Sequence, residues 1–391
     1  MNIFLELCMN GEINKLKKYY AKYPHLKINT QQYATFRWSC SMGQLEVAKW
    51  LIEISRVDKL VEIDIHVNEE EAFISSCQKG HLDVAKWLFD ISQNKKTGLI
   101  DIHACNNKAF KESCYEGHLE IAKWLMELSQ KENANIGLIN IHANNEWVFE
   151  MSCIRNHLDV AKWLIELSRN DKMGLINIHD NNDWIFRSCC MDGHLDIVKW
   201  LVTLSQIEKD KFGIVNIHVN NDEAFKTSCE FGHLEIAKWL LEISQSQKEY
   251  VKLGPVNIHA NNDDAFESCC RIRNLKTAKW LYFLDRKKFN INYINLYYNY
   301  IKQDKFFSRI IASDYRNNSQ LRTEYKKEYN KWKLRIIFRM VYRLLKFYNH
   351  TLEKSYSPKG VGYLRVKNDF DNKTSNVSAS IQIKINYPGS L

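Results

Sequence analysis

The sequence predicts a mainly α-helical solenoid of repeats, and three observations predict it. Trp recurs at Trp50, Trp87, Trp124, Trp163, Trp200, Trp239 and Trp280, in steps of 37, 37, 39, 37, 39 and 41 residues. A Cys stands ten residues before each of them, at Cys40, Cys77, Cys114, Cys153, Cys190, Cys229 and Cys270. Between the two lies Gly80-His81-Leu82-Asp83-Val84-Ala85-Lys86-Trp87-Leu88, which returns with small changes along the chain. A period of this size marks an array whose units bury their apolar faces on one another.

Within one unit the elements follow in order. Ala72, Phe73, Ser76 and Cys77 are small or apolar at helical spacing and predict a helix A. Gly80 interrupts it, supplying the positive φ of a tight turn. Leu82, Val84, Ala85, Trp87, Leu88 and Ile91 then form a second apolar stripe of period 3.6, helix B. A polar loop, Ser92 to Thr97, leads to the apolar run Leu99-Ile100-Asp101-Ile102-His103 and to Asn106-Asn107, a pair suited to left-handed φ at a hairpin tip. Asn107, Asp183, Asp222 and Asp263 then stand where a polar side chain caps the next helix A.

These residues resemble the ankyrin repeat over roughly 1–285. The family's Gly-His-Leu-Glu-Val-Val-Lys-Leu-Leu is matched by Gly117-His118-Leu119-Glu120-Ile121-Ala122-Lys123-Trp124-Leu125, and its Asp-Val-Asn hairpin by Asp64-Ile65-His66 and Asn140-Ile141-His142. The family's Thr-Pro-Leu-His is replaced by Glu71-Ala72-Phe73-Ile74, or by Trp184-Ile185-Phe186-Arg187, so packing of Phe73 and its equivalents must tie helix A to the hairpin. Trp in helix B, His after the hairpin Ile and long loops look like the ankyrin families of giant DNA viruses of amoebae.

Along the chain, 1–30 reads as an N-terminal capping repeat, with Phe4, Leu7, Ile13 and Leu16 inward and Lys15, Lys17 and Lys18 outward. Seven repeats occupy 31–285, and 286–315 reads as a degenerate cap in which Asn290-Ile291-Asn292 echoes the hairpin. Residues 316–354 read as a basic amphipathic helix and 355–391 as a polar tail, in which Ile381 to Tyr387 alternate as a strand would.

Composition bounds the function. The chain has 391 residues, 45% hydrophobic and 26% charged, as a folded soluble protein has. It has no apolar run long enough to cross a membrane, and Met1 to Glu6 carry no basic leader. Seven of the 11 Cys occupy one repeat position, so the Cys pattern reads as packing in a reduced, intracellular protein rather than as disulfides. Cys77 and His81 stand four apart, yet Gly80 breaks the helix between them and no Cys-x-x-Cys is present, so no metal and no cofactor is expected. Phosphate loops, nucleophile elbows and paired acids are lacking as well, which argues against an enzyme. His66, His103, His142, His179, His218 and His259 recur one per repeat, a series suited to hydrogen bonds between neighbouring hairpins.

The binding reading rests on variation. The first helix A position reads Glu71, Lys108, Trp147, Trp184, Glu223 and Asp264, changing chemistry where the core does not. Glu150, Arg187 and Lys226 share that side. The resemblance implies a concave groove here that takes a partner protein, host or viral. Trp147 and Trp184 then either anchor that partner or pack back onto their own hairpins.

Residues 316–391 hold 16 Lys or Arg against 5 Asp or Glu, a charge of +11, and the rest holds 39 against 41. Lys331, Arg335, Arg339, Arg343 and Lys346 either form the solvated face of a capping helix or bind an anionic membrane surface or nucleic acid. No DNA-binding motif accompanies them, which disfavours nucleic acid. The chain is expected to be a monomer.

Overall fold

The computed structural model describes residues 3–285, apart from 24–30, 58–62, 94–97, 132–136, 171–172, 247–249 and 251–252. The degenerate cap, the basic helix and the tail expected beyond 285 lie outside the described residues.

Helices come in pairs. A first pair, α1 (Ile3–Met9) and α2 (Ile13–Lys22), precedes seven more. The next are α3 (Gln31–Ser41) with α4 (Leu45–Val57), α5 (Val67–Gln78) with α6 (Leu82–Ser92), and α7 (Ala104–Tyr115) with α8 (Leu119–Ser129). They continue as α9 (Ala143–Ile154) with α10 (Leu158–Ser168), and α11 (Asp180–Asp192) with α12 (Leu195–Ile207). A single turn, α13 (Lys209–Phe212), follows, then α14 (Val219–Glu230) with α15 (Leu234–Ser246), and α16 (Ala260–Ile272) with α17 (Leu275–Leu284). The described residues contain no strand.

Helix A is the shared element. Each one packs on the helices A before and after it and on its own helix B. That position explains the two sequence patterns. Helix B has one neighbouring layer, so Val84, Ala85 and Leu88 are buried while Asp83, Lys86 and Asp90 face out. Helix A is contacted on several sides, so small residues dominate it, and Ala72, Phe73, Ser76 and Cys77 are all buried. The recurrent Cys are buried at every repeat, and desolvation pushes their thiols up, Cys8 to about 12 and Cys40, Cys77 and Cys114 further. They act as small apolar side chains.

The Trp series differs from a plain core position. Trp87, Trp124, Trp163 and Trp200 are only half-buried, each with an edge to solvent. Their rings lie against the fully buried Phe of the preceding helix A, in the pairs Phe36–Trp87, Phe73–Trp124, Phe110–Trp163, Phe149–Trp200 and Phe225–Trp280, with centroids 6.1–6.4 Å apart. An aromatic pair of this geometry adds roughly 0.5–1.5 kcal/mol beyond its area burial. Packing of Phe73 and its equivalents therefore joins helix A to helix B of the next repeat, whereas the missing Thr-Pro-Leu-His predicts a tie to the hairpin.

The turn between helices is left-handed. Gly80 has φ +84°, and its neighbour His81 donates its N–H to Ser76 O at 2.9 Å, closing helix A. A Cβ on Gly80 would meet the His118 ring of the next repeat at 2.7 Å. In two repeats Asn156 (φ +65°) and Arg273 (φ +70°) take the glycine's place.

At the expected hairpin tip the chain makes a left-handed turn of three residues, within the first turn of α5, α7, α9, α11, α14 and α16. Asn68-Glu69-Glu70, Cys105-Asn106-Asn107, Asn144-Asn145-Glu146 and Asn181-Asn182-Asp183 all have φ between +48° and +66°. The Asn pair read as a turn signal supplies the first two residues or the last two, since Asn tolerates this region better than most. Just before it, the N–H of His179 is held by Asn177 Oδ1 at 3.0 Å, and that of His142 by Asn140 Oδ1 at 2.9 Å.

Candidate functional site

The third residue of each left-handed turn carries a buried side chain with a double task. Asp183 Oδ1 lies 2.5 Å from His179 Nδ1, and Asp183 Oδ2 accepts the N–H of Asn216, in the next repeat, at 3.1 Å. Glu70, Glu146 and Asp222 repeat the arrangement: each binds the His four residues before it at 2.6–2.8 Å and the N–H of Asp101, Asn177 or Asn257. Asn107 stands in for the acid, 2.5 Å from His103 Nδ1.

The other ring nitrogen also crosses a repeat boundary. His142 Nε2 donates to Met173 O at 2.7 Å, and His179 Nε2 donates to Phe212 O. Two acceptors around one imidazole suit the doubly protonated ring. The Asp183 hydrogen bond accordingly raises the pKa of His179 against the opposing effect of burial. At His142 burial pulls down, and Glu146 with the carbonyls of Met173 and Gly174 outweighs it, for a net rise. At His103, His142 and His179 the series is thus a hydrogen-bond ladder between repeats, as its spacing suggested, whereas Nε2 of His66 and His218 is buried without a hydrogen-bond partner among the described residues. The acids read as helix caps are the ladder's second half. A His followed four residues later by an acid, once per repeat, was the signal.

The variable side of helix A follows a rule. The residue three after the first helix A position of one repeat faces the first position of the next. Arg187 Nη1 pairs with Glu223 at 2.5 Å, Lys226 Nζ with Asp264 at 2.6 Å, and Arg37 with Glu71. Arg187 also donates from Nε to Asn182 O and from Nη2 to Asn181 O, both at 3.0 Å, so it braces its own turn. Asn68 and Asn220 add bonds to Glu71 and Glu223, each 2.8 Å long. Five of the nine residues expected to bind a partner, Glu71, Arg187, Glu223, Lys226 and Asp264, are therefore engaged in staples between repeats.

The same rule fails in the middle of the array. Its pairs there are Ile74 with Lys108, Lys111 with Trp147, and Glu150 with Trp184. None is an ion pair, and Lys108, Lys111 and Glu150 have no ion-pair partner among the described residues. Trp147 stacks on Tyr115 of the preceding repeat, with ring planes 5° apart and centroids at 6.0 Å, and Arg155 sits 4.3 Å from the Tyr115 centroid. Trp184 is 39% exposed, with the Arg187 guanidinium 5.6 Å from its ring. Partial burial, then the charges of Asp180 and Glu146, raise the pKa of Glu150. Lys331, Arg335, Arg339, Arg343 and Lys346 lie outside the described residues.

No group of three or more His, Cys, Asp or Glu suited to a metal occurs among the described residues. None of their helices is long and apolar enough to cross a membrane.

Residues 36–140 match the family description "Ankyrin repeats (3 copies)". Among solved structures, the chain is similar to an ankyrin repeat family protein from Legionella pneumophila, at 16% identity and a TM-score of 0.27, over 63% of this chain and 69% of that one. No curated protein matches the chain. The fold is thus that of ankyrin repeats, matched as a family over 36–140, a unit that generally serves as a protein-interaction module.

Proposed function

We infer that the protein is a non-catalytic scaffold that binds a partner protein through the helix A face of its middle repeats, the face that lines the concave groove of an ankyrin array. One observation carries this. The surface row is closed by ion pairs at Arg37–Glu71, Arg187–Glu223 and Lys226–Asp264, and left open at Lys108, Lys111, Trp147, Glu150 and Trp184. The open stretch includes Trp184, exposed over 39% of its surface, a residue type enriched among interface anchors. Unoxidised Cys buried at every repeat support an intracellular setting. Trp in helix B and His in the turns are the support for an origin among viral ankyrin families.

A second reading rests on the charge of +11 at 316–391, which suits an anionic membrane surface. Salt separates the two, since binding by exposed basic residues collapses as salt rises. Affinity capture from cell lysate with the intact protein and with a Trp147→Ala/Trp184→Ala variant, at low and high salt, tests the choice. Groove binding predicts a partner that survives high salt and is lost in the variant. A partner lost in salt and indifferent to the Trp changes moves the function to the basic segment.

A further inference from the structure

The open stretch also has a polarity. Lys108 and Lys111 stand together on α7, one repeat before Glu150 on α9, and Trp184 opens the next helix A. By the pairing rule, Glu150 corresponds to Trp184 across its boundary, whereas the acids at the first helix A positions meet a cation: Glu71 meets Arg37, Glu223 meets Arg187 and Asp264 meets Lys226. Trp184 has the Arg187 guanidinium 5.6 Å from its ring, but that cation is committed to Glu223 and to its own turn, so Glu150 is the carboxylate of the row left without one. Asp180 and Glu146 lie close enough to burden Glu150 with like charge, so a cation there relieves a repulsion already present.

Resting on the groove reading above, we propose that the middle repeats recognise an extended segment of a partner protein, with an Arg or Lys seated between Glu150 and Trp184 and an Asp or Glu against Lys108 and Lys111. The segment completes from outside the ion pair that the array's other repeats complete from within. Its spacing follows from the stack. Neighbouring helices pack about 8–10 Å apart, and an extended chain advances about 3.3 Å per residue, so one repeat corresponds to roughly three residues. The motif is therefore a basic and an acidic side chain about three residues apart.

A displayed library of random nonapeptides, panned against the full-length protein, tests this without knowing the partner. The selected peptides should share a Lys or Arg with an Asp or Glu about three residues away. Binding of the selected peptides should weaken at least tenfold in Glu150→Gln, an isosteric loss of charge, and in Trp184→Ala. It should stay within twofold in Glu267→Gln, at the same position of the last repeat. Circular dichroism and the unfolding midpoint establish that each variant is folded. Peptides that lose binding in Trp184→Ala yet show no charge pattern and ignore Glu150→Gln would overturn the charge recognition and leave the groove reading standing. Peptides indifferent to both variants, or a library that yields no binder, would overturn both.

Discussion

The rows inside the stack and the row on its surface solve the same problem in opposite ways. Inside, the boundaries draw on the same parts: a Phe against the next Trp at five of them, and at four a His-bound acid that also accepts the next repeat's N–H. On the surface, three boundaries have an ion pair and three have none. The array holds together at both kinds of boundary, so the surface pairs are not what fixes the register. Because the buried rows hold the repeats in place, the surface row is free to differ from repeat to repeat, which recognition requires.

The largest expected effect tests the first half of that claim. Phe73 and Phe225 are buried to within 1%. Phe73→Ala acts at a boundary with no surface ion pair, and Phe225→Ala at one that has Lys226–Asp264. Each should cost about 3–5 kcal/mol, read as a fall in the urea midpoint, and the two losses should agree within about 1 kcal/mol. A much smaller loss at Phe225 would mean that surface charge shares the work of holding the repeats.

Next in size is the helix turn. Gly80→Ala puts a Cβ at φ +84° and drives it toward the His118 ring. The left-handed region alone costs about 1–2 kcal/mol. Asn156→Gly, at the same turn two repeats on, should stabilise by up to about 1 kcal/mol, since Asn156 already adopts φ +65°. Thermal unfolding of the two variants should therefore move in opposite directions.

The His ladder gives a pH dependence. His179 has a raised pKa in the folded state, so the stability it contributes is fully present below its unfolded value of about 6.5 and is lost as pH rises through the higher folded value. Asp183→Asn keeps an acceptor for His179 Nδ1, as Asn107 does for His103, and removes the charge. It should cost about 1 kcal/mol at pH 6, and the cost should shrink by pH 9. Unfolding midpoints measured across that range check it. A cost that grows with pH would show that the ring is neutral in the ladder.

The sequence made some of these parts plain and hid others. The period, the Cys–Gly–Trp spacing and the buried Phe were readable because they repeat unchanged. So was the His series, whose bonding between neighbours holds at His103, His142 and His179. The acids were read as helix caps because Asp183 or Asp222 before a helix is the usual cap signature, and only the folded turn shows Asp183 Oδ2 reaching Asn216. The left-handed φ at the tip after Ile100 and Ile102 was readable too, because Asn106 and Asn107 tolerate positive φ. The staples were harder still. Arg187 and Glu223 are 36 residues apart, and no local pattern joins them. Aligning the repeats three residues out of step would have exposed them, and would have shown in the same operation where the series breaks.

The smallest effect draws the contrast between the boundaries most directly. Arg187→Ala removes the bond to Glu223 and two bonds to turn carbonyls. A double-mutant cycle with Glu223→Gln should give a coupling of about 1 kcal/mol, the upper end for a surface pair, because Arg187 is largely shielded from water. Glu150→Gln should have the opposite sign. Burial, Asp180 and Glu146 all disfavour its charged form, so a folded pKa above the unfolded one makes the ionised group a burden at neutral pH. Glu150→Gln should therefore raise the unfolding midpoint at pH 7, and its advantage should fade as pH drops below the unfolded carboxyl pKa of about 4.3. Recognition offers a reason for the array to keep a charge that its own folding disfavours, since a cation arriving on a partner turns the same carboxylate from a burden into a contact. If Glu150→Gln instead destabilised at pH 7, Glu150 would be a structural residue like Glu223, and the middle boundaries would not differ in kind from the ends.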